Sequence, residues 1–99
     1  MLRNLELAFI RLHIFYHSDK EEVFGTGLME ELARHGYHIG PGTLYPILSK
    51  MEKEGLLSCK TRTVAHKQRK YYRITDAGRA LLEEMKTKIK ELYMEVVEK

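Results

Sequence analysis

The sequence predicts a mainly α fold with one small antiparallel β-hairpin. Apolar residues recur at spacings of three and four in four separate stretches, the period of a helix face. Between the third and fourth, Leu57, Cys59, Thr61 and Thr63 alternate with Ser58, Lys60 and Arg62, and Tyr71–Ile74 follows as a second β-rich run. At 99 residues the chain is one small domain with a modest core.

Charge is unevenly placed. No Asp or Glu lies between Gly55 and Thr75, where Lys60, Arg62, Lys67, Arg69, Lys70 and Arg73 all fall. The formal net charge is +3, so these six cations leave the remainder of the chain acidic. Such segregation points to an anionic partner at the basic end. Composition is otherwise ordinary for a globular protein, 43% hydrophobic and 31% charged. A single cysteine, Cys59, excludes an internal disulfide. Arg3, Glu6, Arg11 and His13 interrupt the apolar N-terminal stretch, which excludes a membrane span there and argues against a signal peptide. The expected compartment is the cytoplasm.

The first helix is expected over Leu2 to about Tyr16. Leu2, Leu5, Phe9, Leu12 and Tyr16 form one stripe; Leu7, Ile10 and Ile14 form a second on another side. A helix apolar on two sides is sandwiched, here by the chain's own core and by either that same core or another subunit. His17–Glu22 is polar and reads as a loop. The second helix starts within Phe24–Gly27 with Thr26 as N-cap, buries Leu28, Met29, Leu32 and Ala33, and stops at Gly36. Tyr37–Ile39 bridges to the third helix, with Ile39 as apolar anchor.

Pro41 suits the start of that third helix, because its missing N–H has no partner there in any case. Pro46 would break an interior hydrogen bond. With Thr43 as cap, Pro46 falls at the third helical position, giving a tight turn over Pro41–Thr43 and regular helix from about Leu44 to Glu54, closed by Gly55. Leu44, Ile47, Leu48 and Met51 share one face. Tyr45, Ser49 and Lys53 point the other way, with Thr43 and Lys50 on a flank. That exposed set holds no carboxylate, which suits a groove-facing surface and also an ordinary solvated one.

The hairpin tip, Val64–Gln68, contains neither Gly nor Pro, so a longer, mobile wing is expected rather than a two-residue primed turn. From Thr75 the pattern is helical to the end. Thr75 is the expected N-cap, and Asp76 suits the positive end of the helix dipole. Leu82, Met85, Ile89, Leu92 and Val96 keep a 3-4-3-4 rhythm, widened by Leu81, Tyr93 and Val97. At 1.5 Å per residue this helix is about 33 Å long, more than the small body before it can cover. A coiled-coil-like seam to a second subunit is the economical explanation.

Three helices, a hairpin and a long helix form the order of a winged helix-turn-helix plus a long C-terminal dimerisation helix. Residues 1–74 would make the DNA-binding domain and 75–99 the dimerisation helix, as one compact unit with the first helix. In such folds the second helix of the motif enters the major groove and the hairpin contacts backbone or minor groove.

Two blocks carry a more specific resemblance. GPGTLYPILSKMEKEGLL at 40–57, followed by RKYYRITDAGRALL at 69–82, resembles the PadR family of transcriptional regulators, in its small subgroup with a single C-terminal helix. The resemblance implies a homodimeric prokaryotic repressor that binds double-stranded DNA at a palindromic operator. It implies that the helix carrying the TLYP run reads DNA, and that the C-terminal helix packs on the partner's first and last helices. Thr43, Tyr45 and Pro46 match the family's helix entrance, Lys50 a polar site further along, and Arg69, Lys70, Tyr71 and Tyr72 the base of its wing. The tip VAHKQ replaces a Gly/Pro-containing one, and the segment from His17 to Ile39 departs from the family's usual second helix.

The expected DNA contacts are therefore Thr43, Tyr45, Pro46, Ser49, Lys50, Lys53, His66, Lys67, Arg69, Lys70 and Tyr71. The expected dimer contacts are Leu5, Phe9, Leu12, Leu82, Met85, Ile89, Leu92, Tyr93 and Val96. The resemblance also implies a small hydrophobic or aromatic effector near the dimer interface, where Phe9, Phe15, Tyr16, Met85, Ile89 and Tyr93 could line a pocket; taken singly, each reads first as an ordinary core or seam residue.

Other chemistry finds little support. There is no Gly-rich phosphate loop, nucleophile elbow or carboxylate pair, so no enzyme and no cofactor is expected. His13 and His17, four apart, could share a helix face as metal ligands do, but the sequence places no third ligand beside them and no metal site is expected. His35 and His38 flank a helix end, in reach of solvent or backbone carbonyls. Cys59 reads as a small buried hydrophobe, with a redox-sensing thiol as the rival. Winged helices also bind proteins, so an interaction module without sequence-specific DNA binding is the alternative function.

Overall fold

The computed structural model describes residues 2–98, and of Leu2 the backbone alone. The elements are α1 (Leu2–Lys20), α2 (Gly25–Arg34), α3 (Pro41–Lys53), β1 (Leu57–Val64), β2 (Lys67–Ile74) and α4 (Asp76–Val96). This is the expected mainly α winged helix-turn-helix with a two-stranded antiparallel hairpin. No described helix is long and apolar enough to cross a membrane.

The core forms where one face of each helix meets the inner half of the hairpin. Ile10, Ile14 and Phe15 of α1, Leu28 and Leu32 of α2, and Leu44, Ile47, Leu48 and Met51 of α3 are buried together with Leu57, Tyr72, Ile74 and Leu82. The Leu7–Ile10–Ile14 stripe thus faces inward. Leu5, Phe9 and Tyr16 of the other stripe remain exposed, and Leu12 is half-buried. The Leu2 side chain, assigned to the same stripe, lies outside the described part.

Helix α1 does not end at Tyr16. It continues through His17–Lys20 because those polar residues find partners on it and beside it: buried Ser18 donates from Oγ to the Phe15 carbonyl at 3.3 Å, and Asp19 accepts from Arg79 Nε on α4 at 2.9 Å.

Thr26 is not the cap of α2. Val23 exchanges two backbone hydrogen bonds with Tyr72, at 2.9 and 2.8 Å, as a one-residue third strand. That pairing holds the chain extended through Phe24, the N-cap, so the helix starts at Gly25 and no side chain caps it. The expected stop at Gly36 holds, with φ of 88°.

Thr43 is likewise not the cap of α3. Gly40 is extended and its carbonyl accepts from Leu44 N at 3.0 Å, so Pro41 is the first helical residue. Pro46 then sits sixth, inside the helix, and one interior hydrogen bond is missing. Thr43 Oγ1 instead accepts from Arg3 Nη2 at 3.5 Å.

The wing does not end in the longer loop its composition suggests. β1 and β2 pair in unbroken register from Leu57↔Ile74 to Val64↔Lys67, which leaves two residues for the turn. Ala65 (φ 51°) and His66 (φ 65°) both adopt the left-handed conformation that a primed hairpin turn demands. Strand twist, propagated along eight paired residues, outweighs the local preference of Ala against positive φ, a cost of about 1–2 kcal/mol.

Helix α4 starts as its sequence predicts. Thr75 Oγ1 accepts from Gly78 N at 3.0 Å and donates to the Gly55 carbonyl at 2.6 Å, tying the cap to the end of α3. Leu82 packs into the chain's own core, only 4% exposed, so it offers no surface to a second subunit as the dimer assignment required. Beyond it α4 leaves the body, which gives the molecule its 54 Å long axis against 28 and 21 Å. Leu92 is 57% and Val96 68% exposed, with Ile89 and Tyr93 also open and Met85 half-buried.

Candidate nucleic-acid interface

A groove of about 660 Å³ runs between the start of α2, α3 and the outer half of the wing. It is bordered by Phe24, Gly25 and Thr26, by Tyr45, and by Val64, Ala65, Lys67, Gln68, Arg69 and Lys70. Among the described residues, no carboxylate borders it.

Tyr45 enters the groove from the second turn of α3, 40% exposed, with its ring end against Gly25. The absent side chain at Gly25 is what lets the two helices close over this point. Arg69 spreads its guanidinium over the Phe24 ring at 4.5 Å, a cation–π contact that aims the charge along the groove edge. Phe24 is in turn held edge-on by Tyr71, centroids 5.7 Å apart. Lys67 and Lys70 make no ion pair among the described residues and are solvent-exposed.

The acid-free segment is therefore divided by the fold. Lys60, Arg62 and Arg73 border a different hollow, which Glu21 and Glu22 also line. Arg62 pairs with Glu22 at 2.8 Å and covers the Tyr71 ring at 4.8 Å. Arg73 Nη2 donates to the Asp19 carbonyl oxygen at 3.4 Å. Arg62 and Arg73 are thus engaged with the chain at the end of α1 and just beyond it, while Lys67, Arg69 and Lys70 stand on the groove.

Of the residues singled out from the sequence, the structure brings Tyr45, Lys67, Arg69 and Lys70 to one groove. Pro46, Lys50 and Lys53 are exposed along α3 and Thr43 and Ser49 half-buried there, outside its lining. His66 stands at the wing's turn. Tyr71 is half-buried between Phe24 and Arg62 and faces the acid-lined hollow instead. Phe24, Gly25 and Thr26 were not foreseen; only the Gly-Thr-Gly run, poor in helix formers at a helix start, marks them in the sequence.

Cys59 is half-buried opposite Tyr72 in the ladder. Burial, with Cys59 beside it, pushes the Tyr72 hydroxyl up to about 12, so it stays protonated and structural.

Comparison with known proteins places this geometry. The profile of the transcriptional regulator PadR-like family matches residues 14–84, most of the chain. The chain belongs to the PadR family. Transcriptional regulator Rv3488 of Mycobacterium tuberculosis is 46% identical over 96 residues, covering 97% of this chain and 90% of that protein. Among solved structures, a PadR family transcriptional regulator from Eggerthella lenta superposes with a TM-score of 0.84 at 32% identity, over 97% of this chain and 85% of that one. A PadR-like regulator from Bacillus cereus gives 0.76 at 35% identity, over 97% and 91%. This PadR chain is thus a transcriptional regulator with the family's winged helix fold.

Proposed function

We propose that this PadR regulator binds a palindromic operator in double-stranded DNA as a homodimer and represses transcription there. The observation that carries the proposal is the carboxylate-free groove in which Tyr45 meets Lys67, Arg69 and Lys70. α3 enters the major groove, where Tyr45, Ser49, Lys50 and Lys53 face base edges and flanking phosphates. The wing, with His66 at its tip, holds the backbone through Lys67, Arg69 and Lys70.

Dimerisation rests on the apolar side chains left open: Leu5, Phe9 and Tyr16 on α1, Ile89, Leu92, Tyr93 and Val96 on α4. Pairing α4 with a partner's α1 and α4 covers both stripes and fixes two recognition helices at one spacing. Residues 1–74 then read DNA and 75–99 join the subunits. A small hydrophobic or aromatic effector, if one acts, lodges among Phe9, Tyr16, Met85, Ile89 and Tyr93. Phe15 has no part in such a pocket, being buried in the chain's own core.

Selection of bound fragments from genomic DNA tests the proposal. A recovered motif with inverted half-sites about one helical turn apart is the expected result. Recovery of sequences with no shared motif would leave the protein-interaction alternative in its place.

A further inference from the structure

One cluster of ligand-type side chains has no part in the DNA-binding surface. It lies where the C-terminal turns of α1 meet the end of α2. His13 and His17 stand one turn apart on α1. His35 is the C-cap residue of α2, its backbone N–H held by the Leu32 carbonyl at 3.0 Å. It does not simply face solvent or a backbone carbonyl: its ring stacks on His13 with centroids 4.4 Å apart. Each of the three histidines offers a ring nitrogen, and these atoms lie within 4.8 Å of one another. His35 is thus the third ligand that the α1 pair lacks in the sequence.

Glu31, one turn before His35, completes the arrangement. Its Oε2 lies 3.9 Å from His17 Nε2 and 3.7 Å from His35 Nε2. Its Oε1 accepts a hydrogen bond from Arg34 Nη1 at 2.8 Å, which orients the carboxylate and leaves Oε2 turned to the histidines. A second-sphere donor of this kind is what an ordered metal-binding carboxylate requires.

We propose that His13, His17 and His35 bind one divalent transition-metal ion of the zinc type, with Glu31 as fourth ligand. Three imidazole nitrogens and one carboxylate oxygen are a four-coordinate set suited to such borderline ions and not to magnesium or calcium, which take oxygen. The rings need only close inwards, since bonds of about 2.0–2.1 Å to a shared ion hold the nitrogens nearer than they now lie. His35, exposed at the helix end, has the freedom to make that movement. The ion would clamp α1 to the end of α2, directly before the Gly36–Gly40 turn that leads into α3.

The test is calorimetric titration of zinc chloride into chelator-treated full-length protein. It is run on the wild type, His17→Gln, His35→Gln and the double variant, with circular dichroism as the folding control. The expected result is one ion per chain, a raised melting temperature, affinity lowered at least about tenfold by either single variant and abolished in the double variant. Absence of binding by the wild type would overturn the site, as would unchanged affinity in His35→Gln. That single variant alters an exposed side chain and decides the matter if the double variant does not fold.

Discussion

The ring of Tyr45 on α3 lies against Gly25 at the first turn of α2, so close that a β-carbon at position 25 would overlap it. The two helices of the helix-turn-helix motif are thereby gauged against each other by one aromatic ring and one missing side chain. Gly25→Ala should swing the ring out of the groove and leave the core intact, because the clash is with the far end of a side chain. Operator affinity should fall roughly tenfold, the order of one good base contact, as it should in Tyr45→Ala. Both variants should remain dimers by sedimentation. Loss of the dimer instead would show that this face of α3 serves assembly.

The exposed half of α4 makes a separate prediction. Ile89→Asp or Leu92→Asp places a charge in the proposed seam and should give monomers at concentrations where the wild type sediments as a dimer. Leu82→Asp, in contrast, should unfold the chain, since that residue is buried within it. A dimer unchanged by both seam variants would move the interface elsewhere.

Gly78 tests the junction between body and long helix. A β-carbon there would press on the Leu56 carbonyl and lie 2.8 Å from Ile74 Cγ1. Backbone cannot step aside as a side chain can. Gly78→Ala should therefore cost about 1–3 kcal/mol, despite the better helix propensity of alanine. In thermal denaturation that is a fall of roughly 4–8 °C per kcal/mol for a domain of this size.

The element order, the core faces of α1 and α3 and the Thr75 cap were all legible, because helical period and capping chemistry are local, whereas Leu82 reads as part of the α4 seam and is buried in the chain's own core. The entrances of α2 and α3 were not. Thr26 and Thr43 look like caps in isolation, but α2 begins where Val23 pairs with Tyr72, and α3 where extended Gly40 meets Pro41. The first is a contact between residues far apart in the chain, which no local pattern encodes. The same holds for His35, whose approach to His13 depends on how α2 packs across α1. At the groove, the basic residues could be counted from sequence but not apportioned. The partners that divide them, Glu22 for Arg62 and Phe24 for Arg69, lie some 40 positions away.

The wing's turn, where local preference lost to strand register, offers its own check. Replacing Ala65-His66 by Asn-Gly supplies the residues that accept two positive φ values most readily. The tip amides should exchange more slowly with solvent, by about the 1 kcal/mol of strain relieved. Faster exchange would mean that the two-residue turn is not the resting form of the wing.

The most direct test of DNA binding through the groove is the salt dependence of operator affinity, measured by fluorescence anisotropy between about 50 and 200 mM salt. Contact with about six to ten phosphates should lower affinity by several orders of magnitude across that range. Lys67→Gln should reduce the slope by about one per neutralised contact and weaken binding to matched and scrambled duplexes alike. A salt-independent affinity, or a slope that Lys67→Gln leaves unchanged, would contradict the placement of phosphates along the wing.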